Sequence, residues 1–411
     1  STAMISWLDD MPGNSSAQSL GPEPSGPGGR EGPTVLALAS LFPNRFRPRQ
    51  AAFNIQQFSA LAELCRFGLV APVPCLQLLT PPRRWQNPPL VHFPVLRPVY
   101  WYLPKLKRQW HGRFFFHSAW PALKKLARRI KPEVLLANWV YPDGWAGVQA
   151  ASALGLPVVV QALGSDLMIA AQDPARLPLI KHVLARADAV MSVSRPLAQE
   201  ARRLGAAGGK VMVVPNGVNQ LLFRPAGKEE ARRRLGLPQS GPLALFVGNL
   251  VPVKGIETAL RALATLPHVT MLIVGQGPLE PKLRLMAQDL GAGEQVIWAG
   301  PQDHEHVPGF MAACDVLLLP SLSEGEPNVV LEALACGRPV VASDVGGVGR
   351  LIQSGRQGLL VPSGEPQPLA DAIAQALQRD WDPEELAASV QERTWGNSAS
   401  GLLEVIRSTL K

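Results

Sequence analysis

Two carboxylates, Glu324 and Glu332, stand eight positions apart in the run Pro320-Ser-Leu-Ser-Glu-Gly-Glu-Pro-Asn-Val-Val-Leu-Glu-Ala-Leu-Ala-Cys-Gly-Arg-Pro-Val-Val-Ala-Ser343. The apolar run Val316 to Leu319 stops at Pro320 and reads as a strand. Pro327 suits the first turn of a helix, where its missing N–H costs nothing. Gly337 and Pro339 close that helix, and Val340 to Ala342 begins the next strand. Glu324 is therefore expected at the carboxyl end of a strand, and Glu332 about two turns into the following helix. Ligands of open α/β sheets bind at such strand ends. The helix start beside Glu324 offers unpaired N–H groups to a phosphate. A Glu pair at this spacing is weak evidence alone, because helix starts often carry acids for dipole reasons. Glu326 reads most simply as an acid of that kind.

The whole string is more specific than the pair. With Pro-Ser before the acids and Ala-Cys-Gly-x-Pro-Val-Val after them, it closely resembles the Glu-x7-Glu signature of the family 4 glycosyltransferases, which have the GT-B fold. The resemblance implies that Glu324 contacts a donor sugar and that Glu332 holds the ribose of its nucleotide. Gly325, Glu326, Pro327, Asn328 and Val329 would line the same donor site. Leu245-Phe-Val-Gly-Asn-Leu-Val-Pro-Val-Lys-Gly255 adds Gly248, Asn249 and Lys254 past another strand. A nucleotide diphosphate carries charge that Lys254 can neutralise, more strongly in a dry cleft than in water. The family usually has Arg directly after that Gly, where this chain has Asn249. In Ile273-Val-Gly-Gln-Gly-Pro278, Gly275 and Gly277 permit a tight turn with close backbone approach to a ligand, although a plain turn is the default reading. Phe310 to Asp315, Ser343 to Gly347, Arg186 to Asp188 and Ser192 to Ser194 also follow the family's pattern. Gly349-Arg350 stands where Pro-Glu is common.

The acceptor side is less defined. Ser40-Leu-Phe-Pro-Asn-Arg-Phe-Arg-Pro-Arg-Gln50 occupies the place of the family's N-terminal substrate loop. Asn44, Arg45 and Arg49 are candidates to reach an acceptor phosphate or the donor diphosphate; solvated loop arginines are an equal reading. Asn138-Trp-Val-Tyr-Pro-Asp-Gly144 resembles a run found in polysaccharide-assembly members. Asp143 within it is either a cleft acid or an ordinary turn Asp. Ala162-Leu-Gly-Ser-Asp166 has Leu163 where many relatives have a donor-orienting His, leaving Ser165 and Asp166 as polar candidates. The resemblance implies a same-face displacement with retention of configuration. Glu324, Asp166 and Asp143 are the candidate catalytic residues, with general base catalysis open to the two Asp. Asp380-Trp-Asp382 matches a metal-binding motif of the other main transferase fold. Asp382-Pro-Glu-Glu-Leu, however, reads as a helix N-cap, so no metal and no cofactor beyond the nucleotide-sugar substrate is expected.

Positioning these groups requires strands that alternate with helices, and short β-branched runs recur in that manner from Val35 to Ala342. This implies parallel sheets covered on both faces. The expected layout is a disordered leader over 1–33, an acceptor-binding Rossmann-like domain over 34–215 and a linker over 216–225. A nucleotide-sugar-binding Rossmann-like domain over 226–396 follows. A helix over 397–411 is expected to return to the first domain, as in GT-B proteins. At 411 residues the chain is too long for one core.

The net charge of +8 is unevenly placed. Between Arg66 and Pro132 there is no acid, while thirteen Arg and Lys interleave with eleven aromatic residues. A basic-aromatic stretch over 83–131 suits an anionic membrane surface. A solvated helix from Ala122 to Lys131 over an aromatic core is the plainer reading. Nucleic acid is disfavoured because no accompanying motif exists. No apolar run is long enough to span a bilayer. Four cysteines, Cys65, Cys75, Cys314 and Cys336, lack metal or redox spacing and fit a reducing cytoplasmic setting. The expectation is a cytoplasmic, membrane-associated transferase that moves a sugar from a nucleotide donor to a lipid-linked oligosaccharide in exopolysaccharide or capsule assembly. The alternatives are a transferase with a soluble sugar-phosphate or metabolite acceptor, a nucleotide-sugar epimerase, and a non-catalytic sugar-nucleotide-binding subunit.

Overall fold

The structure is a computed structural model that describes residues 32–79, 87–102 and 108–410. Most of the expected leader, and Arg83, Arg84, Trp85, Lys105 and Lys107 of the basic stretch, lie outside the described residues.

Buried apolar runs form the strands. Val134-Leu-Leu-Ala-Asn138 and Val158-Val-Val-Gln-Ala162 are buried at every position, as strands covered on both faces must be. The first half of the chain contributes β1 (Thr34–Leu38), β2 (Arg66–Val70), β3 (Val73–Pro74), β4 (Val95–Leu96), β5 (Val99–Tyr100), β6 (Val134–Asn138), β7 (Val158–Ala162), β8 (Ala189–Ser192) and β9 (Val211–Val213). Seven of them form a parallel sheet in the order β4-β2-β1-β6-β7-β8-β9. The second half contributes β10 (Leu243–Val247), β11 (Thr270–Val274), β12 (Val296–Gly300), β13 (Val316–Leu319), β14 (Val340–Ser343) and β15 (Gly358–Val361). They form a second parallel sheet in the order β12-β11-β10-β13-β14-β15. The expected pattern of two doubly wound parallel sheets is thus found. Strands β2 and β15 were not anticipated, because Gly68 and Gly358 interrupt their apolar runs.

Five helices frame the site and the crossings between the two halves: α1 (Ala52–Leu64), α2 (His111–Ile130), α3 (Asn328–Ala335), α4 (Pro383–Ala388) and α5 (Trp395–Ser408). Helix α2 begins well before the expected Ala122, and Pro121 lies inside it. The periodic run Phe115, Ala119, Leu123, Leu126 and Ile130 buries one face against the sheet and overrides the proline as a stop signal. Helix α5 packs on α1, and its Ala399, Leu402, Leu403, Val405 and Ile406 join the core of the first sheet. The chain therefore crosses between the two halves twice, once after β9 and once before α5.

Strand order reverses between β1 and β6 in the first sheet, and between β10 and β13 in the second. The carboxyl ends at such reversals form the crevices where ligands of open sheets bind. The loops 39–50 and 139–144 leave the first reversal; 248–255 and 320–327 leave the second.

Candidate active site

Glu324 lies past the end of β13. Its Oε1 accepts from Lys254 Nζ at 2.7 Å and from Ser321 Oγ at 2.6 Å. The Lys254 side chain is 26% exposed and that of Glu324 10%, so the pair is largely shielded from water. Leu322 N donates to Val253 O at 2.8 Å and ties the two loops together. Helix α3 starts at Asn328, with Pro327 as its N-cap residue at ψ 112°, so Pro327 precedes the first turn and is not part of it. The start of α3 is therefore next to a shielded ammonium–carboxylate pair, a setting suited to a phosphorylated ligand.

Glu332 is the fifth residue of α3, just over one turn in and not the expected two. Its Oε1 meets His304 Nε2 at 2.8 Å, and the His304 ring packs on Phe223 at 5.1 Å between centroids. His304 was not singled out from sequence; the surrounding Asp-His-Glu-His run was its only signal. Asn249, at the place of the absent Arg, is exposed. Gly248 is followed by a backbone bond from Leu250 N to Gln276 O at 3.0 Å. Gly275 and Gly277 lie close to the backbone of the neighbouring loop. A side chain at either would collide with the carbonyls of Gly248 and Leu250, so their small size serves packing of two loops. Gly325 sits against the backbone of Leu163 and Gly164, and Gly347 N donates to Gly325 O at 3.0 Å. Loops from the two sheets thus meet beside Glu324. Val329 is half-buried in the first turn of α3.

Glu326 is no solvated helix-start acid. Its side chain is 5% exposed, and its carboxylate accepts from Asn216 N at 2.6 Å and Arg393 Nη1 at 3.2 Å. Burial pushes its carboxyl up to about 7, against the downward pull of Arg393 and Asn216.

The two Asp proposed as bases are corrected by their surroundings. Asp143 is fully buried; its oxygens accept from Ser40 N and, at 2.7 Å, from Ser40 Oγ. Burial pushes its carboxyl up to about 7, although the Ser40 bonds oppose the shift. Asp166 is also fully buried and accepts from the N–H groups of Val140, Leu163, Gly164 and Leu167. Burial raises its carboxyl despite those donors. A carboxylate with no accessible surface and engaged oxygens cannot meet an acceptor hydroxyl in this arrangement. Both Asp residues instead fix the loops at the mouth of the first crevice.

The N-terminal loop differs in the same direction. Asn44 is buried and its Oδ1 accepts from Phe46 N at 2.9 Å and Arg47 N at 3.1 Å, closing its own turn. Arg49 reaches across to the other half: its Nε donates to Asp303 Oδ1 at 2.6 Å and its Nη1 to Pro301 O at 3.4 Å. Arg45 is half-buried in the same loop. Asp382 caps α4, accepting from Glu384 N at 2.9 Å and Glu385 N at 3.4 Å, as its Pro-Glu-Glu context implied. Cys314 and Cys336 are small core residues whose thiols burial pushes up to about 12.

Comparison with known proteins agrees with this arrangement. A family model described as glycosyl transferases group 1 matches residues 227–394, and one described as a glycosyl transferase 4-like domain matches 60–217. A D-inositol 3-phosphate glycosyltransferase from Acidothermus cellulolyticus is 39% identical over 254 residues, which are 56% of this chain and 56% of that protein. The putative teichuronic acid biosynthesis glycosyltransferase TuaC of Bacillus subtilis is 30% identical over 375 residues, covering 85% of this chain and 91% of that protein. Sucrose-phosphate synthase from Thermosynechococcus elongatus superposes with a TM-score of 0.77 at 26% identity, over 91% of this chain and 98% of that one. Anabaena HepE in complex with UDP-glucose gives a TM-score of 0.71 at 22% identity, over 92% and 100% respectively, and shares the fold. The chain belongs to the group 1, family 4 glycosyltransferases of GT-B fold, and its enzyme class is that of the glycosyltransferases.

Proposed function

We propose that this chain transfers a sugar, with retention of configuration, from a nucleoside diphosphate sugar to a lipid-linked oligosaccharide at an anionic membrane surface. The Lys254–Glu324 pair at 2.7 Å, beside the start of α3, carries the donor half of this reading. Lys254 and the N–H groups of α3 neutralise the diphosphate as the glycosidic bond breaks. Glu324 lies against the sugar, and Glu332 accepts from the ribose hydroxyls. Charge develops on the leaving phosphate, which takes the acceptor's proton on the same face. Asp143 and Asp166 are buried with their oxygens engaged, so this reading gives the proton to the leaving phosphate and not to either of them.

Helix α2 supports the acceptor half. Trp110, Arg113, Phe114, His117, Pro121, Lys124, Lys125 and Arg128 recur every three or four residues at its start and along its outer face, and all are exposed. Arg113 stacks over Trp110 and Lys124 over Trp120, at 5.1 Å and 5.3 Å. A row of cations with exposed aromatics fits lipid headgroups. No described helix is long and apolar enough to cross a membrane. The relative TuaC is named as a putative teichuronic acid biosynthesis glycosyltransferase, in keeping with a saccharide acceptor.

A soluble phosphorylated acceptor is the second reading, favoured by the D-inositol 3-phosphate relatives and by the arginines of loop 44–49. Vesicle sedimentation separates the two. With Lys124, Lys125, Arg128 and Arg129 changed to Gln, binding to phosphatidylglycerol vesicles should fall at least about tenfold. Unchanged binding would remove the membrane reading. Thermal stabilisation by a panel of nucleoside diphosphates tests the donor half, because a ligand that binds only the folded state raises its melting temperature.

A further inference from the structure

The two crossings between the halves lie side by side. Val218 N donates to Arg393 O at 2.8 Å, and Val218 pairs with Thr394 as a parallel bridge. A side chain at Gly217 would collide with the Thr394 backbone, so the contact is close. Between this paired hinge and the donor loop stands one side chain, Glu326. Its Oε2 accepts from Asn216 N on the first crossing at 2.6 Å. Its Oε1 accepts from Arg393 Nη1 on the second at 3.2 Å. Its backbone oxygen accepts from Asn216 Nδ2 at 3.4 Å. Glu326 is two residues from Glu324, with only Gly325 between them.

A carboxylate at 5% exposure is a poor choice for stability alone. Replacing a buried ion pair by apolar groups of like volume is often neutral or better. What an apolar residue could not do is fix three chain segments by directed bonds. We propose that Glu326 is a positioning residue whose carboxylate clamps the Glu324 loop to both interdomain crossings, so that the donor site and the hinge move as one unit. This rests on the reading of Glu324 as a donor-site residue.

The test uses the full chain with Glu326→Gln, which keeps size but removes charge, with Arg393→Met, and with both changes together. Amide hydrogen exchange is followed in segments 214–218 and 321–327, and turnover of a nucleotide-sugar donor is measured on the same samples. The clamp requires that Glu326→Gln speed exchange in both segments together, by about tenfold, while β10 is unchanged. It also requires kcat per folded molecule to fall about tenfold with donor KM within about twofold of wild type. Arg393→Met should act alike, and the double variant should add little to either single change. Faster exchange at 214–218 alone would overturn the proposal. So would a lower melting temperature with unchanged kcat, which marks a merely structural residue. A raised KM at constant kcat would make Glu326 a ligand contact instead. If the wild type turns over no nucleotide sugar, the transferase reading fails and the exchange result still decides the clamp.

Discussion

Lys254 and Glu324 each hold the other in place, and each has a separate expected task. Changing Lys254→Met should raise the donor KM about tenfold, because one charge-assisted contact to phosphate is lost. Changing Glu324→Gln should lower kcat at least about a hundredfold, as removal of a group that acts mainly in the transition state does. Steady-state donor kinetics check both, and effects below about threefold would remove these residues from the site. The same assays with EDTA should be unaffected, since Asp382 is occupied as a helix cap. Asp143 gives a pH prediction. Its folded carboxyl titrates at about 7, and an unfolded Asp titrates at about 3.9. Between those values the folded state binds more protons than the unfolded, so the stability Asp143 contributes is greatest on the acid side and falls as pH rises. Urea midpoints should move in favour of Asp143→Asn, relative to wild type, between about pH 4 and 7. A pH-independent difference would sink the assignment. Glu324 and Glu332 could be singled out as candidates because they stand in one local string, and the structure places them on one strand–loop–helix unit. The roles of Asp143 and Glu326 were not, because the partners that decide them, Ser40 and Arg393, are distant in sequence.

At the scale of elements, the apolar runs of β1, β6, β7 and β13 announced themselves, whereas the Gly-broken strands and the full length of α2 required the sheet and its neighbours. One internal feature had no sequence signal. Asn54, Asn138, Gln161, Gln57 and Ser398 form a buried chain of side-chain hydrogen bonds running from α1 through β6 and β7 back to α1 and on to α5. Asn54 also donates to Leu41 O, so this chain reaches the N-terminal loop. Each member is satisfied by the next, and a single apolar replacement leaves its neighbours without partners. Asn138→Leu should therefore cost about 1–3 kcal/mol, seen as a lower denaturation midpoint. An unchanged midpoint would show that the chain contributes nothing to the core.

For the whole molecule, Arg49 and Asp303 span the cleft at 2.6 Å. An exposed pair of this type is worth roughly 0–1 kcal/mol and weakens with salt. Asp303→Arg should open the cleft at low ionic strength, measured as a larger radius of gyration by small-angle scattering. Raising salt should bring wild type towards the same value, and identical scattering in all four conditions would exclude a latch. The two-sheet layout was legible from alternating elements, but this contact joins loops 254 positions apart and was not. The position of α5 has a separate consequence for synthesis. The core around β1 and α1 includes five residues of the last 14-residue helix. On the ribosome, the half that emerges first therefore lacks part of its interior until α5 has been made, while the later half can already close around β10 to β15. Loss of α5 would consequently injure the half built on β1 to β9, exposing its apolar face to aggregation and proteolysis.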